Sequence, residues 1–138
     1  MGNNASNNSY GIFLDSSTNN TLSGNNASNK YHGIDLYYSN NNMLSENVIK
    51  SNNGIGLDLF YSGNVALSNN IMMDNKLNFA LSGYSDSNFD NQIDPSNLVD
   101  GKPIYYIKNA VDTIYDSSTS AGTFYCIGCE NVTLKDMD

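Results

Sequence analysis

The sequence has no arginine and no tryptophan, and it has one histidine and two cysteines among 138 residues. All 6 basic residues are lysines and stand against 14 acidic residues, so the net charge is -8. Nucleic acids and anionic membrane surfaces both attract clustered cations, so neither is expected as a partner. The single histidine, His32, and five scattered methionines do not supply the converging soft ligands that copper requires.

Long apolar runs are also missing, and no stretch approaches the roughly 18 apolar residues of a membrane-spanning helix. The first ten residues, MGNNASNNSY, have neither the basic start nor the apolar centre of a signal peptide. The first repeat begins directly after Met1 and Gly2, and the sequence ends at Asp138 within a repeat unit. Because a solenoid normally carries caps over its open edges, we expect this chain to be a segment of a longer solenoid with further domains.

Asparagine is abundant, with 25 residues, 23 of them before Leu98. Such a bias alone is compatible with disorder. Apolar and aromatic residues, however, recur at regular places between the asparagines, which disorder does not explain. The segments GIDLYYSNNNMLSEN at 33–47 and GLDLFYSGNVALSNN at 56–70 agree at nine of fifteen positions. The chain is therefore built from repeats.

The repeat is 22 to 23 residues long, as the spacing of Gly11, Gly33 and Gly56 shows, and Asn78 takes the same position 22 residues later. Apolar residues alternate over three to five positions in each unit, which favours short strands over helices. The aligned columns are Ile12, Ile34, Leu57 and Phe79; Leu14, Leu36, Leu59 and Leu81; Leu22, Leu44 and Leu67; and Asn3, Asn25, Asn47 and Asn70.

A unit of this kind predicts an all-β solenoid of short parallel strands, with each coil about 4.8 Å above the last. The Leu and Ile columns are expected inside, and the Asn columns at corners, where side-chain amides bond the backbone. We predict a single domain over 1–138, with regular repeats over 1–97 and less regular coils over 98–138. In that second part we expect a turn at Asp100 and Gly101, a strand at 104–107 and an outward loop near 110–120. Four later residues are expected to point inward: Phe124, Cys126, Val132 and Leu134.

The unit GI-x-L…S-x-N…L-x-x-N resembles the right-handed parallel β-helix repeats of NosD-like proteins, in the carbohydrate-binding and sugar-hydrolase repeat class. The stretches NLVDGKPIYYIKN and AGTFYCIGCENVTLKD are similar to segments of such proteins, especially archaeal surface proteins. The resemblance covers nearly the whole chain. It implies a right-handed β-helix, a location at the cell surface, outside the cell or in the periplasm, and contact with glycans. The named family member assists copper assembly in nitrous oxide reductase, a role not expected here because the ligands are missing.

One face of the repeat carries the candidate ligand-binding residues. Asp35 and Asp58 share a column between inward residues, so both are expected to point outward about 4.8 Å apart, repelling each other or sharing a cation. The adjoining columns hold Tyr37 with Phe60, and Tyr38 with Tyr61. Aromatic rings beside carboxylates suit a sugar-binding face, and the alternative is that the rings stack across coils and stabilise the sheet.

A weak calcium candidate lies in the loop DSNFDNQIDPSN, where Asp86, Asn88, Asp90 and Asp94 take calcium-loop positions one, three, five and nine. Asn91 stands where glycine is expected, and Asn97 where a bidentate glutamate is expected. No other cofactor is expected.

The remaining motifs favour structural interpretations. Cys126 and Cys129 form one C-x-x-C pair, which is half of a zinc site, and we interpret them as one core and one corner cysteine, with a bond between them left open. N-x-S/T sequons occur at Asn4, Asn7, Asn19, Asn26 and Asn131, where an exported chain can carry glycans.

Three functions are compatible with this pattern. The favoured one is a non-catalytic cell-surface or extracellular β-helix that displays or binds, with carbohydrate as the ligand. The second is a polysaccharide lyase, hydrolase or epimerase whose catalytic coils lie partly outside the segment, because only two carboxylates align here and hydrolysis needs them gathered around the scissile bond. The third is a structural spacer in a surface layer.

Overall fold

Each repeat unit folds into one coil of a parallel β-solenoid of about six turns, as the sequence predicts. The computed structural model describes residues 2–5, 8–28 and 31–137. The strands are β1 (Tyr10–Asp15), β2 (Thr21–Ser23), β3 (His32–Tyr37), β4 (Met43–Ser45), β5 (Val48–Lys50), β6 (Ile55–Phe60), β7 (Ala66–Ser68), β8 (Ile71–Met73), β9 (Leu77–Ser82), β10 (Gln92–Ile93), β11 (Leu98–Val99), β12 (Lys102–Lys108), β13 (Ile114–Tyr115), β14 (Thr123–Ile127) and β15 (Thr133–Leu134). One 3-10 turn spans Asp86–Phe89.

Strands of successive coils stack into three main sheets, and β13 and β15 form a separate two-stranded sheet. The long-strand sheet contains β1, β3, β6 and β9 in that order, the second sheet contains β2, β4, β7 and β10, and the third contains β5, β8, β11, β12 and β14. In the long-strand sheet Ile34 pairs with Ile12 on one side and with Leu57 on the other. The pairing confirms the 22- to 23-residue columns, because residues one repeat apart lie side by side.

The core runs along the axis between the three sheets. Its fully buried side chains include members of the predicted columns and further residues outside them: Ile34, Leu36, Leu44, Leu57 and Leu59 from the columns, and Ile49, Val65, Met72 and Ile104 from elsewhere. In the long strands these residues alternate with half-buried or exposed ones, so the opposite side chains form an outer face. This alternation is the period of two that a sheet with one buried face requires.

The asparagine columns form hydrogen-bonded ladders at the corners. The side-chain oxygens of Asn25, Asn47 and Asn70 each accept the backbone N–H of the asparagine one coil earlier, at 2.9 to 3.1 Å. Asn97 continues the same ladder by accepting the backbone N–H of Asn70 at 3.2 Å. The prediction that asparagine closes the corners is confirmed, and the ladder extends one coil further than the predicted column.

The regular winding changes after β11. Asp100 and Gly101 adopt left-handed backbone conformations, with φ of 49° and 80°, and form the predicted turn. The chain reverses there, so β12 pairs antiparallel with β11 and then parallel with β14. The predicted strand at 104–107 lies within the longer β12.

Some details of the last coils differ from the prediction. Tyr106 and Tyr125 pack against the core, whereas Phe124 stacks on Tyr105 with ring centroids 6.1 Å apart. The prediction that Phe124 and Cys126 point inward is therefore wrong, because the alternation on β14 is shifted by one residue. Three further differences follow: Leu134 is 50% exposed, Val132 is half-buried, and the predicted outward loop contains β13, which pairs with β15.

Candidate functional site

The outer face of the long-strand sheet brings the predicted ligand-binding residues together. Asp35 pairs with Asp58 and Tyr37 pairs with Phe60 in the register of β3 and β6. Phe13 precedes Asp35 in its column and Ala80 follows Asp58. In each strand the outward side chains alternate with buried core side chains. Outward residues of neighbouring coils are therefore held apart by the strand spacing of the sheet.

The two aspartates are less solvated than the sequence predicts. Both are half-buried, and among the residues that the structure describes the Oδ1 atom of each has no hydrogen-bond partner and almost no contact with solvent. Burial raises the pKa of Asp35, and the nearby His32 partly offsets this rise. Burial and the adjacent Asp35 charge raise the pKa of Asp58 to about 6. Both side chains point outward as expected, but one oxygen of each carboxylate is shielded from solvent.

This arrangement predicts that stability falls as pH rises. The unfolded pKa of Asp58 is 3.8 and the folded value is about 6. Between these values the folded state holds more protons than the unfolded state, so the free energy of unfolding decreases with rising pH. The shift alone corresponds to about 3 kcal/mol, and partial exposure reduces it to about 1–2 kcal/mol. Urea unfolding should therefore show Asp58→Asn to be more stable than wild type by that amount near pH 7, with little difference near pH 4.

Asp116→Asn is the matched control for this measurement. Asp116 accepts hydrogen bonds from the backbone N–H and hydroxyl of Ser118, which lower the pKa of its carboxyl. Its substitution should reduce stability near pH 7, the opposite sign to Asp58→Asn. An Asp58→Asn gain that is equal at both pH values would contradict the assigned pKa.

The aromatic columns stack from coil to coil. Tyr37 and Phe60 lie almost parallel, with ring centroids 5.2 Å apart and 6° between their planes. Tyr38 and Tyr61 are 4.9 Å apart and tilted by 42°. These contacts match the sheet-stabilising alternative, and Tyr37 and Tyr38 still remain 39% and 47% exposed. The rings therefore stabilise the sheet and also form part of its surface.

The aromatic surface extends beyond the residues predicted from the sequence. Linked by ring contacts with centroids at most 6.4 Å apart, the aromatic strip consists of Tyr10, Phe13, Tyr31, His32, Tyr37, Tyr38, Phe60, Tyr61 and Tyr84. Tyr10 and Phe13 belong to repeat columns, so alignment of the first coil could have found them. Tyr84 follows β9 outside the columns, yet stacks on Tyr61 at 4.6 Å. Only the folded structure brings that ring to the strip.

The backbone at two of these tyrosines is unusual. Tyr38 and Tyr61 have φ of 48° and 52°, in the left-handed region, and the same position in the first coil is Ser16. The other described non-glycine residues in this region are Asn, Asp, Ser or Glu, as at Asn41 and Asn64. This conformation costs a bulky residue about 1–2 kcal/mol, whereas asparagine tolerates it. Tyrosine is thus a poor choice for the fold alone, which points to a role for the exposed rings.

The calcium candidate loop forms the 3-10 turn Asp86–Phe89 and the residues after it. Asn88 accepts the Ser85 hydroxyl at 3.1 Å, and Asp90 pairs with Lys108 at 2.8 Å. In the part of the chain that the structure describes, no three His, Cys, Asp or Glu side chains, Asp94 included, form a group that could hold a metal ion. Calcium binding at this loop stays a prediction without a convergent set of carboxylates to support it.

The remaining motifs can be placed on the fold. Cys126, in β14, and Cys129 are joined by a disulfide, a bond that the sequence left open. The asparagines of the sequons at Asn19, Asn26 and Asn131 are exposed, although Ala27 and Ser28 of the second sequon are buried. The sequon at Asn4 includes residue 6, and Asn7 itself is not described, so both sequons fall partly or wholly outside the described residues.

Stacked coils, asparagine ladders and an exposed aromatic face define a parallel β-helix repeat protein. Residues 1–104 match the family model described as "Periplasmic copper-binding protein (NosD)", and the chain belongs to this family. No curated protein and no solved structure matches the chain. Across the residues that the structure describes, no helix is long and apolar enough to cross a membrane.

The described residues do not fit the copper that the family description names. Copper sites combine several imidazole, thiolate or thioether ligands. His32 is the sole histidine, and its Nδ1 already accepts the backbone N–H of Ile55 at 3.3 Å. Both cysteines are bonded to each other and lie outside the matched residues. Met72 is buried in the core, and Met43 is exposed on the second sheet.

Proposed function

We propose that this chain is a non-catalytic, exported β-helix segment whose aromatic strip binds carbohydrate. The single observation that carries the proposal is the strip itself, which places exposed rings around two carboxylates on one sheet face. Tyrosine rings cover the apolar faces and edges of sugars, and hydroxyl and carboxylate oxygens accept bonds from sugar hydroxyls. The family's periplasmic description supports a location outside the cytoplasm.

Two further observations support binding. Tyr38 and Tyr61 occupy left-handed positions where a smaller polar residue would stabilise the fold better. Four cavities of the described structure are lined by residues outside the aromatic strip, one of them by Met43 and Gln92 of the second sheet and Lys108 of the third. The aromatic strip is an open surface and not a cleft, which suits binding better than catalysis.

The test is a glycan array followed by calorimetry on the glycans that bind. Tyr38→Asn removes an exposed ring and relieves the left-handed backbone, so stability should change by less than about 0.5 kcal/mol. Affinity should fall about three- to tenfold, because a ring contact contributes about 0.5–1.5 kcal/mol. Met43→Ala is the matched control, since it removes an exposed apolar side chain from the second sheet and should leave binding unchanged.

Three outcomes distinguish the candidates. Binding that Tyr38→Asn weakens and Met43→Ala does not supports the proposal. Release of new reducing ends from bound glycans, abolished by Asp58→Asn, would instead favour the enzyme, whose supporting observation is the carboxyl pair with one pKa near 6. A folded protein that binds no glycan would favour the surface-layer spacer.

A further inference from the structure

The aromatic strip has a direction, because its rings repeat from coil to coil. Tyr37 and Phe60 lie in one column on successive coils, with ring centroids 5.2 Å apart, and Phe13 lies one coil earlier in the adjoining outward column, 6.4 Å from Tyr37. Tyr38 and Tyr61 form a neighbouring row with centroids 4.9 Å apart. The Tyr37–Phe60 row and the Tyr38–Tyr61 row run from coil to coil along the solenoid axis, and Phe13 extends the first row obliquely by one coil. Each step is close to the length of one pyranose residue in an extended, β-1,4-linked chain.

The strip is open at its far end. Tyr84 stacks on Tyr61 and is 89% exposed, so it continues the second row onto the coil of β9, the last strand of the sheet. Phe13, at the opposite end, is 47% exposed. The four strands of the long-strand sheet span about 14 Å along the axis. A polysaccharide that follows the rows can therefore place about four of its sugar residues on the strip.

The charges on this face select against anionic ligands. Asp15, Asp35 and Asp58 all lie on the outer face, and the chain has a net charge of -8 without arginine. A uronate or sulfated polymer would place like charges opposite these carboxylates, which costs affinity. An uncharged sugar brings hydroxyl donors, which carboxylate and phenol oxygens can accept.

We propose that the strip binds a linear, uncharged polysaccharide that lies along the solenoid axis, with one sugar residue per coil. This inference rests on the proposed carbohydrate-binding function. It adds the charge class, the direction and the length of the ligand. A short sugar would occupy one coil only, whereas a chain of about four residues would contact the whole strip.

The experiment is calorimetric titration with linear β-1,4-linked oligomers of glucose, xylose and mannose, each from two to eight residues long. Oligogalacturonates and glucosamine oligomers of the same lengths are titrated in parallel, at low and high salt. For at least one neutral series, affinity should rise at least tenfold from two to about four residues and then level off. Galacturonates should bind at least tenfold more weakly than that series.

Two variants test the direction. Tyr84→Ala removes the exposed end ring and should shorten, by about one sugar residue, the length at which affinity levels off, with short oligomers unaffected. Tyr37→Ala removes a central ring and should weaken all lengths by a similar factor. If the chain instead lies along one coil, Tyr84→Ala should have no length-dependent effect, and that result would overturn the axial arrangement.

The remaining outcomes separate the inference from the function beneath it. Equal affinity at every length, or tighter binding of galacturonates, overturns this inference and leaves carbohydrate binding intact. A preference for glucosamine oligomers that high salt abolishes also overturns it, because such binding reflects net charge alone. If the folded protein binds none of these oligomers and no glycan on the array, both the inference and the proposed function fail.

Discussion

Asn47→Ala should reduce the free energy of unfolding by about 3–5 kcal/mol, because it breaks the central rung of a buried ladder. The side-chain oxygen of Asn47 accepts the backbone and side-chain N–H groups of Asn25, both at 2.9 Å. Its amide nitrogen donates to the carbonyl of Leu22 at 2.9 Å and to the side-chain oxygen of Asn70 at 2.8 Å. Alanine fills none of these roles, and the backbone groups left behind stay buried.

Urea unfolding followed by circular dichroism measures this loss, and Asn53→Ala is the matched control. Asn53 is exposed on the following corner, so its substitution should change stability by less than about 0.5 kcal/mol. A loss of less than about 1 kcal/mol for Asn47→Ala would show that water replaces the ladder bonds. The ladder would then be incidental to stability.

Gly33→Ala should cost about 3 kcal/mol, because neighbouring coils approach too closely for a methyl group. A Cβ at this position would lie 2.5 Å from Ile49 Cγ2 and 3.0 Å from Asn52 Nδ2. It would lie closer still to the carbonyl oxygen of Gly56, which cannot move without shifting β6. Since β3 and β6 carry Asp35 and Asp58, the same clash should also disturb the aromatic strip.

Gly101→Ala is the comparison that separates crowding from backbone conformation. Gly101 has a φ of 80° and open space around its Cα, so alanine there meets only the left-handed penalty of about 1–2 kcal/mol. Urea unfolding of both variants should give the larger loss for Gly33→Ala. Equal losses would mean that β3 and β6 separate readily, contrary to the packing of the coils.

The repeating part of the fold could be predicted because the same physical constraint acts once per coil. Each residue of a parallel solenoid lies beside its counterpart one repeat away, so spacing in the sequence becomes contact in the structure. The Leu and Ile columns, the asparagine corners and the pairing of Asp35 with Asp58 follow from this rule.

Asn78 stands where the earlier repeats have glycine, and this replacement has a local reason. In this sheet no described strand stacks beyond β9, and the Asn78 amide donates to Asp100 at 2.6 Å.

The candidate site was predicted in part. The sequence placed Asp35, Asp58 and four aromatic residues on one outer face. The register pairs Asp35 with Asp58 and Tyr37 with Phe60, and ring contacts bring Tyr38 and Tyr61 beside Phe60. The sequence did not reveal the shielding of the two carboxylates or the left-handed backbone at Tyr38, because burial and backbone conformation depend on all neighbouring coils. Their role in binding stays a proposal that the glycan experiments test.

The non-repeating features depended on the folded chain. The reversal after Gly101, the packing of Tyr125 against the core and the Cys126–Cys129 bond all lie in the last coils. Tyr84 reaches the strip through the loop after β9. In these segments no earlier coil supplies a template, so position is set by contacts between residues far apart in the sequence. Repetition therefore specifies the scaffold and its outward columns, and tertiary packing determines how those columns join into one surface.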